Sequence, residues 1–199
     1  MVPARAVRIT YAGELGYELY VPIEYARAAH DALLSAAHGR GRALVHCGLA
    51  ALDSLLLEKG YRDFAVDIDN TDTPLSAGVG FAVGWSKGNF IGREALIAQK
   101  ALGVPTSRLV HVLLERPEPH LLGHEPVFCG GACVGHVRAA SFGHALGASV
   151  GLAAISHPEG VSADWLAAMR FEVQVNDTRV GAGLSLRPFY DPDGVRLRL

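Results

Sequence analysis

Apolar and polar residues alternate with two different periods along the chain, and the first of these is helical. Before residue 105, apolar side chains recur every three or four positions. This period predicts a helix opened by Pro22 and ended by Gly39, a second from Gly48 to Lys59, and a third from Arg93 to Leu102. One further run, Val79–Trp85, is rich in β-forming residues and is predicted to be a strand.

The second half of the sequence has short apolar runs separated by Gly, Pro and Asn-Asp turns. Such spacing is typical of a small antiparallel barrel or sandwich. The predicted strands are Leu109–Leu114, Pro126–Phe128, Ala132–Arg138, Ser149–Ile155, Phe171–Val175 and Thr178–Leu186. The fold class is therefore predicted to be α+β, with a first domain at 1–104 and an all-β domain at 105–199.

The N-terminal segment predicts a β-hairpin that carries a carboxylate at its tip. The runs Val7–Tyr11 and Tyr17–Val21 flank the short link Ala-Gly-Glu-Leu, which Gly16 closes. Glu14 would then be held in a tight turn, where it could face a ligand. It could equally do no more than keep the turn soluble, and the spacing leaves both interpretations open.

Composition excludes several classes of protein. The chain has 199 residues, of which 50% are hydrophobic and 19% charged, so it should fold around a core. A net charge of −2 argues against a non-specific nucleic-acid binder, and no apolar run is long enough for a membrane span. The odd count of three cysteines fits reduced thiols. The first residues lack the basic-then-apolar pattern of a signal peptide, so none is expected. We expect a cytoplasmic location, or the mitochondrial matrix in a eukaryote.

Two motifs resemble cofactor or metal sites but lack the required pattern. The glycine-rich run Gly78–Gly84 does not have G-x-G-x-x-G spacing and is interpreted as a strand with closely packed backbone. His120 and His124 have a ligand-like spacing that would align them only on a helix. Pro119 and Gly123 argue against a helix there, which favours a connector between strands.

Cys47 and an acidic run leave two further alternatives. Cys47 precedes a predicted helix and could be an activated thiol, although a core cysteine is the simpler interpretation. The acidic run has the charge of a calcium loop without its glycine and terminal glutamate, so a solvated loop is expected. Its members are Asp63, Asp67, Asp69 and Asp72.

Four segments in register resemble the aminomethyltransferase (glycine-cleavage T-protein) superfamily, and the similarity is closest to the C-terminal part of sarcosine and dimethylglycine dehydrogenases. The segments are Tyr-Ala-Gly-Glu-Leu-Gly-Tyr-Glu (11–18), Asp-Ser-Leu-Leu-Leu-Glu-Lys-Gly-Tyr-Arg (53–62), Asp-Thr-Pro-Leu-Ser-Ala-Gly-Val-Gly-Phe (72–81) with Phe-Ile-Gly-Arg-Glu-Ala-Leu (90–96), and Val-Gly-His-Val-Arg-Ala-Ala-Ser-Phe-Gly (134–143).

The resemblance implies the C-terminal half of a folate-binding domain followed by the family's β-barrel. It assigns Glu14 to the 2-amino and ring N–H edge of tetrahydrofolate, because a carboxylate can accept two parallel hydrogen bonds there. Tyr11 and Tyr17 would offer ring faces. Three arginines are candidate partners for the folate tail: Arg138, Arg187 and Arg196.

Two departures from the family affect the expected activity. Leu56 replaces an arginine that contacts folate in T-proteins, so that contact is lost or made elsewhere. The family's acid/base aspartate lies in a half that this sequence does not contain, and no FAD motif is present. No catalytic residue is therefore assigned, and we expect that this chain alone does not turn over.

The resemblance implies a module that receives the one-carbon unit from oxidative demethylation of sarcosine or dimethylglycine. Its partners would be folate and a flavin-dependent amine dehydrogenase module or subunit, or a second copy of the chain. The alternative is a non-catalytic docking subunit that keeps the fold without useful folate affinity. An apolar face left exposed by the missing half would favour association in either case.

Overall fold

The computed structural model describes residues 2 to 198. It has two compact units, one formed by the residues up to Asp53 with those from Asp193 onward, and the other by Ser54–Pro192. The helices are α1 (Ala26–Gly39), α2 (Leu49–Lys59), α3 (Arg93–Ala101) and α4 (Ala163–Ala168). The strands are β1 (Arg5–Val7), β2 (Glu18–Tyr20), β3 (Ser107–Leu114), β4 (Pro126–Cys129), β5 (Ala132–Gly143), β6 (Ala148–Ser156), β7 (Phe171–Val175) and β8 (Thr178–Ser185). The domain boundary predicted at residue 105 stays a prediction.

The second unit is built around a closed antiparallel barrel. Its strand order is β3-β6-β5-β4-β7-β8, so all of the strands predicted after residue 105 are present and the α+β class is confirmed. β5 is longer than predicted because it continues through a β-bulge between Val137 and Ala139. The short helix α4 was not predicted. The Ser162 hydroxyl oxygen caps it by accepting a hydrogen bond from the Trp165 backbone N–H at 3.0 Å.

Both faces of the barrel wall are covered by apolar side chains where α2 crosses it. Inside, a cluster that includes Val110, Val112 and Leu114 fills the barrel. Outside, Leu57 of α2 packs with Leu152 of β6 in a second cluster. The position where the T-protein arginine is expected, Leu56, is 5% exposed and belongs to this second cluster. Leucine therefore acts there as a core residue.

The hairpin of the first unit differs from its prediction. β1 pairs with β2 in the register Ala6↔Leu19, and the connection runs from Arg8 to Tyr17 instead of through a short link. Thr10 is the physical reason, because its hydroxyl oxygen accepts a hydrogen bond from the Ala12 N–H at 3.1 Å and turns the chain. The expected strand residues from Arg8 to Tyr11 are thereby withdrawn from pairing.

The predicted strand Val79–Trp85 is wrong. The segment contains a 3₁₀ turn at Gly80–Ala82, which Trp85 closes by donating its indole N–H to the Gly80 carbonyl at 3.0 Å. Phe81 is 88% exposed, so its β-forming side chain has no sheet to pack on. Helices α1, α2 and α3 agree with their predicted ranges to within a few residues. Among residues 2 to 198, no helix is long and apolar enough to cross a bilayer.

Candidate functional site

Glu14 lies in the loop between β1 and β2, between two glycines that shape the backbone. Gly13 is buried and adopts φ = +76°, a left-handed conformation that favours glycine. A Cβ at Gly16 would lie 2.9 Å from the Cβ of Thr10, so the loop closes only with a glycine there. Glu14 itself is half-buried. The loop therefore holds this carboxylate on a constrained backbone.

Two tyrosines accompany Glu14 in this loop. Tyr11 is 41% exposed and Tyr17 is 61% exposed, so both present ring surface. The next carboxylate, Glu18, is used differently: it accepts a hydrogen bond from the Tyr20 hydroxyl at 2.6 Å, which raises the pKa of Tyr20. Glu14, Tyr11 and Tyr17 thus share one loop, whereas the sequence predicted the two tyrosines at the ends of the flanking strands. Their role in binding stays a prediction.

The acidic loop 63–72 is not simply solvated, which corrects the sequence expectation. Asp67 is 1% exposed; its Oδ1 accepts a hydrogen bond from the Asp63 N–H at 2.9 Å. Its Oδ2 is buried and makes no hydrogen bond to any residue of the described chain. Burial raises the pKa of this carboxyl to about 6, although the hydrogen bond from the Asp63 N–H lowers it. Spacing along the sequence could not reveal this burial.

Arg138 fastens the acidic loop to the barrel. Its Nη1 donates to Asp72 Oδ2 at 2.6 Å and to the Asp67 carbonyl at 2.9 Å. The ion pair is partly shielded, with side chains 25% and 13% exposed. Because this guanidinium sits on β5 beside the β-bulge, it links a barrel strand to a loop distant in sequence.

The other two candidate arginines bind main-chain groups or lie at the C-terminus. Arg187 donates from Nη2 to the Pro192 carbonyl at 3.0 Å. Arg196 opens a short 3₁₀ turn, Arg196–Arg198. Arg138 and Arg187 belong to the same compact unit but bind different partners, whereas Arg196 belongs to the unit that contains Glu14. Their assignment to the folate tail stays a prediction.

The candidate metal and thiol residues have other surroundings. The His120 ring contacts that of Phe142 in a tilted arrangement, with centroids 5.1 Å apart, while His124 adopts φ = +71° in the connector before β4. Within the described part of the chain, no group of three His, Cys, Asp or Glu side chains could hold a metal ion. Cys47 is exposed, so the expectation of a core cysteine is wrong; it lies two residues before α2, outside that helix's buried stretch.

Buried charges at the end of α2 were missed by the sequence reasoning. Glu58 is 1% exposed, and its Oε1 accepts hydrogen bonds from the N–H groups of Ala145 and Leu146 in the β5–β6 turn. Lys59 Nζ lies 2.7 Å from Asp191 Oδ2, and both side chains are nearly inaccessible. The only sequence signal was a Glu-Lys pair directly after three consecutive leucines, followed by the stop at Gly60.

A buried histidine faces the same region. His111 of β3 is 1% exposed, and neither ring nitrogen has a hydrogen-bond partner among the described residues. Burial, helped by the nearby Arg62 charge, lowers the pKa of His111 to about 3. A Cβ at Gly60 would lie 1.8 Å from this ring, so only glycine permits the contact that ends α2.

Comparison with known proteins identifies the family. The model of the GCVT N-terminal domain matches residues 1–87, and the model of the glycine cleavage T-protein C-terminal barrel domain matches residues 108–191. The chain belongs to the glycine-cleavage T-protein superfamily. The resemblance inferred from the four sequence segments is thereby confirmed, and the second match falls on the barrel strands.

The relatives of this T-protein chain include dehydrogenases and an oxidase. It is 42% identical over 196 residues to the 4-methylaminobutanoate oxidase (formaldehyde-forming) of Paenarthrobacter nicotinovorans, covering 98% of this chain and 23% of that protein. It is 36% identical to human mitochondrial sarcosine dehydrogenase, covering 98% of this chain and 21% of that protein. The chain therefore spans about a fifth of the length of these relatives.

Aminomethyltransferases are also similar. The protein from Thermosynechococcus vestitus is 33% identical, with 94% of this chain and 48% of that protein covered. The crystal structure of aminomethyltransferase T from Bartonella henselae matches with a TM-score of 0.77 and 25% identity, covering 94% of this chain and 50% of that chain. The chain thus has the T-protein fold over about half the length of an aminomethyltransferase.

Proposed function

We propose that this chain is a tetrahydrofolate-binding, aminomethyltransferase-like module that receives the one-carbon unit from oxidative demethylation of sarcosine or dimethylglycine. Family membership carries the proposal, since both T-protein models match and the constrained Glu14 loop lies inside the first match. The similarity to human sarcosine dehydrogenase supports the demethylation context.

The loop residues fit the chemistry of a reduced pterin. A half-buried carboxylate at Glu14 can accept hydrogen bonds from an aminopyrimidine edge, and such charge-assisted bonds are about twice as strong as neutral ones. Exposed ring surface at Tyr11 and Tyr17 suits a flat heterocycle. When bound, tetrahydrofolate would supply the nitrogen atoms that accept the one-carbon unit; the protein's part is to bind and orient it.

One of the three candidate arginines belongs to the same compact unit as Glu14. Arg196, at the start of the turn Arg196–Arg198, is the proposed partner for the carboxylates of the folate tail. Leu56, buried in the cluster under α2, cannot donate a hydrogen bond to folate, so Arg196 is the proposed source of positive charge.

Folate titration by calorimetry tests this proposal. The ligand is 5-formyltetrahydrofolate, a stable reduced folate, and the variants are Glu14→Gln and the matched control Glu24→Gln in the exposed turn before α1. Losing the charged hydrogen bonds should cost about 2 kcal/mol, or roughly thirtyfold in Kd, in Glu14→Gln alone. Unchanged affinity in Glu14→Gln would remove this residue from the site.

A docking subunit is the second candidate, and the exposure of apolar side chains in the first unit favours it. None of the large apolar side chains in that unit is buried among the described residues, and Ile23, Val45 and Leu49 are 74% exposed or more. Such a surface is typical of a protein interface. The partner would be a flavin-dependent amine dehydrogenase module or a second copy of this chain. No folate binding together with a stable complex in analytical ultracentrifugation would favour this function.

A further inference from the structure

A small polar cavity lies between the acidic loop and the barrel, within the second unit. Its volume is about 290 Å³, and it is lined on the barrel side by His124, His136 and Arg138. The opposite wall is the loop segment 65–69, which includes Asp67 and Asp69. The cavity therefore has one basic wall and one acidic wall.

The basic wall presents polar side chains to the cavity. Arg138 directs Nη1 to Asp72 and to the Asp67 carbonyl, and its side chain is 25% exposed. His124 and His136 are exposed residues of the same wall. The backbone of His124 is fixed, because its N–H donates to the Val137 carbonyl at 2.7 Å. The backbone of β5 and of the connector before β4 therefore places these three residues on one wall.

The acidic wall carries a fixed negative charge. Asp69 is exposed; the Thr71 N–H and hydroxyl donate to its Oδ1 at 2.7 and 2.6 Å. These hydrogen bonds lower the pKa of Asp69, so the side chain stays charged. Asp67 adds a second carboxyl, 1% exposed, whose Oδ2 has no partner among the described residues. An unsatisfied buried carboxylate oxygen is costly and is characteristic of functional sites.

We infer that this cavity binds a small amino acid in its zwitterionic form. The carboxylate of the ligand would accept hydrogen bonds from Arg138 and the two imidazoles, and its ammonium group would face Asp69 and Asp67. A simple anion would meet the acidic wall and a simple cation would meet Arg138. Only a ligand that carries both charges satisfies both walls.

The cavity is large enough for a small ligand. Its volume of about 290 Å³ accommodates an amino acid with a short side chain. The inference does not depend on folate binding at Glu14, which belongs to the other compact unit.

Titration followed by ¹H–¹⁵N NMR spectroscopy tests this site directly. The probes are glycine, acetate and methylammonium, compared at constant ionic strength. We expect saturable shifts at His124, His136 and the Arg138 Nε–H with glycine, and a Kd about tenfold lower than for either singly charged probe. Acetate binding as tightly as glycine would overturn the zwitterion site, and so would the absence of saturable shifts across the millimolar range.

Matched variants locate the acidic contact. Asp69→Asn changes an exposed side chain and should preserve the fold, yet it should weaken glycine binding about tenfold while leaving acetate binding unchanged or stronger. Asp164→Asn, on an exposed position of α4, is the control and should bind glycine like the parent protein. Equal glycine affinity in Asp69→Asn and the parent would refute the role of the acidic wall. Glu14→Gln should leave all of these values unchanged, which separates this result from the folate proposal.

Discussion

The two compact units of the chain differ in how they are stabilised. The unit that contains the barrel has two clusters of buried apolar side chains, with Val110, Leu152 and Ile155 completely inaccessible. The unit that contains Glu14 has no large apolar residue buried among those described, and no residue of α1 is buried. The barrel unit therefore contains the buried apolar core, whereas the large apolar side chains of the other unit are exposed or half-buried.

The largest difference should appear when one leucine is truncated in each unit. Leu152→Ala removes a fully buried side chain from the cluster under α2 and should lower the free energy of unfolding by about 3 to 4 kcal/mol. Leu33→Ala, at a position 46% exposed on α1, should cost less than about 0.5 kcal/mol. Urea denaturation followed by circular dichroism measures both. Similar losses in the two variants would mean that Leu33 is covered in solution.

Ion pairs give the next comparison. Lys59→Ala removes the 2.7 Å ion pair with Asp191, in which both side chains are nearly inaccessible, and should cost about 3 kcal/mol of unfolding free energy. Arg27→Ala removes the 3.8 Å pair with Asp31, whose side chains are 94% and 60% exposed, and should cost at most about 0.5 kcal/mol. A double-mutant cycle with Asp191→Asn isolates the coupling. A coupling near zero would show that the buried pair does not form.

A smaller, pH-dependent effect is expected at Asp67. Its pKa is raised from 3.8 to about 6 on folding, so its contribution to stability is fully present below pH 3.8 and is lost as the pH rises through about 6. Asp67→Asn should therefore raise the free energy of unfolding at pH 8 by about 2 kcal/mol, with a difference that fades below pH 4. Denaturation at a series of pH values measures this change.

Asp69 provides the opposite case in the same loop. Thr71 lowers the pKa of Asp69, so its contribution is present above the unfolded pKa and is lost as the pH falls. Asp69→Asn should thus not stabilise the protein at pH 8. If both variants shifted stability in the same direction, the burial of Asp67 would not be the cause.

The barrel could be predicted because each strand obeys a local rule. In Phe171–Val175, buried side chains alternate with more exposed ones, as in a strand with one face on the core. Gly or Asn-Asp turns bound the strands, so their ends could also be predicted from the sequence. The end of α2 at Gly60 could also be predicted from local sequence. The reason that glycine is needed there could not, because it is the ring of His111, which is distant in sequence. Only the family resemblance indicated that the loop of Glu14 is a candidate for ligand binding.

Other features could not be predicted because they depend on contacts distant in sequence. The strand-like composition of Val79–Trp85 produced no strand, since no strand of residues 2 to 198 pairs with it and the Trp85 indole closes a turn instead. The acidic run was predicted to be a solvated loop, but Arg138 of β5 binds Asp72 and the Asp67 backbone, a contact between residues distant in sequence. In the hairpin, β1 ends at Val7 and the Thr10 hydroxyl accepts the Ala12 N–H, although Arg8–Tyr11 has the composition of a strand.

The most direct test of the central claim compares a whole folate with its pterin fragment. If Glu14 binds the pterin edge, Glu14→Gln should weaken 5-formyltetrahydrofolate and 6-methyltetrahydropterin by the same factor, roughly thirtyfold, in competition calorimetry. The control Glu24→Gln should change neither value. A loss confined to the whole folate, or a pterin fragment that does not compete at all, would contradict the claim that this loop carboxylate recognises a reduced pterin.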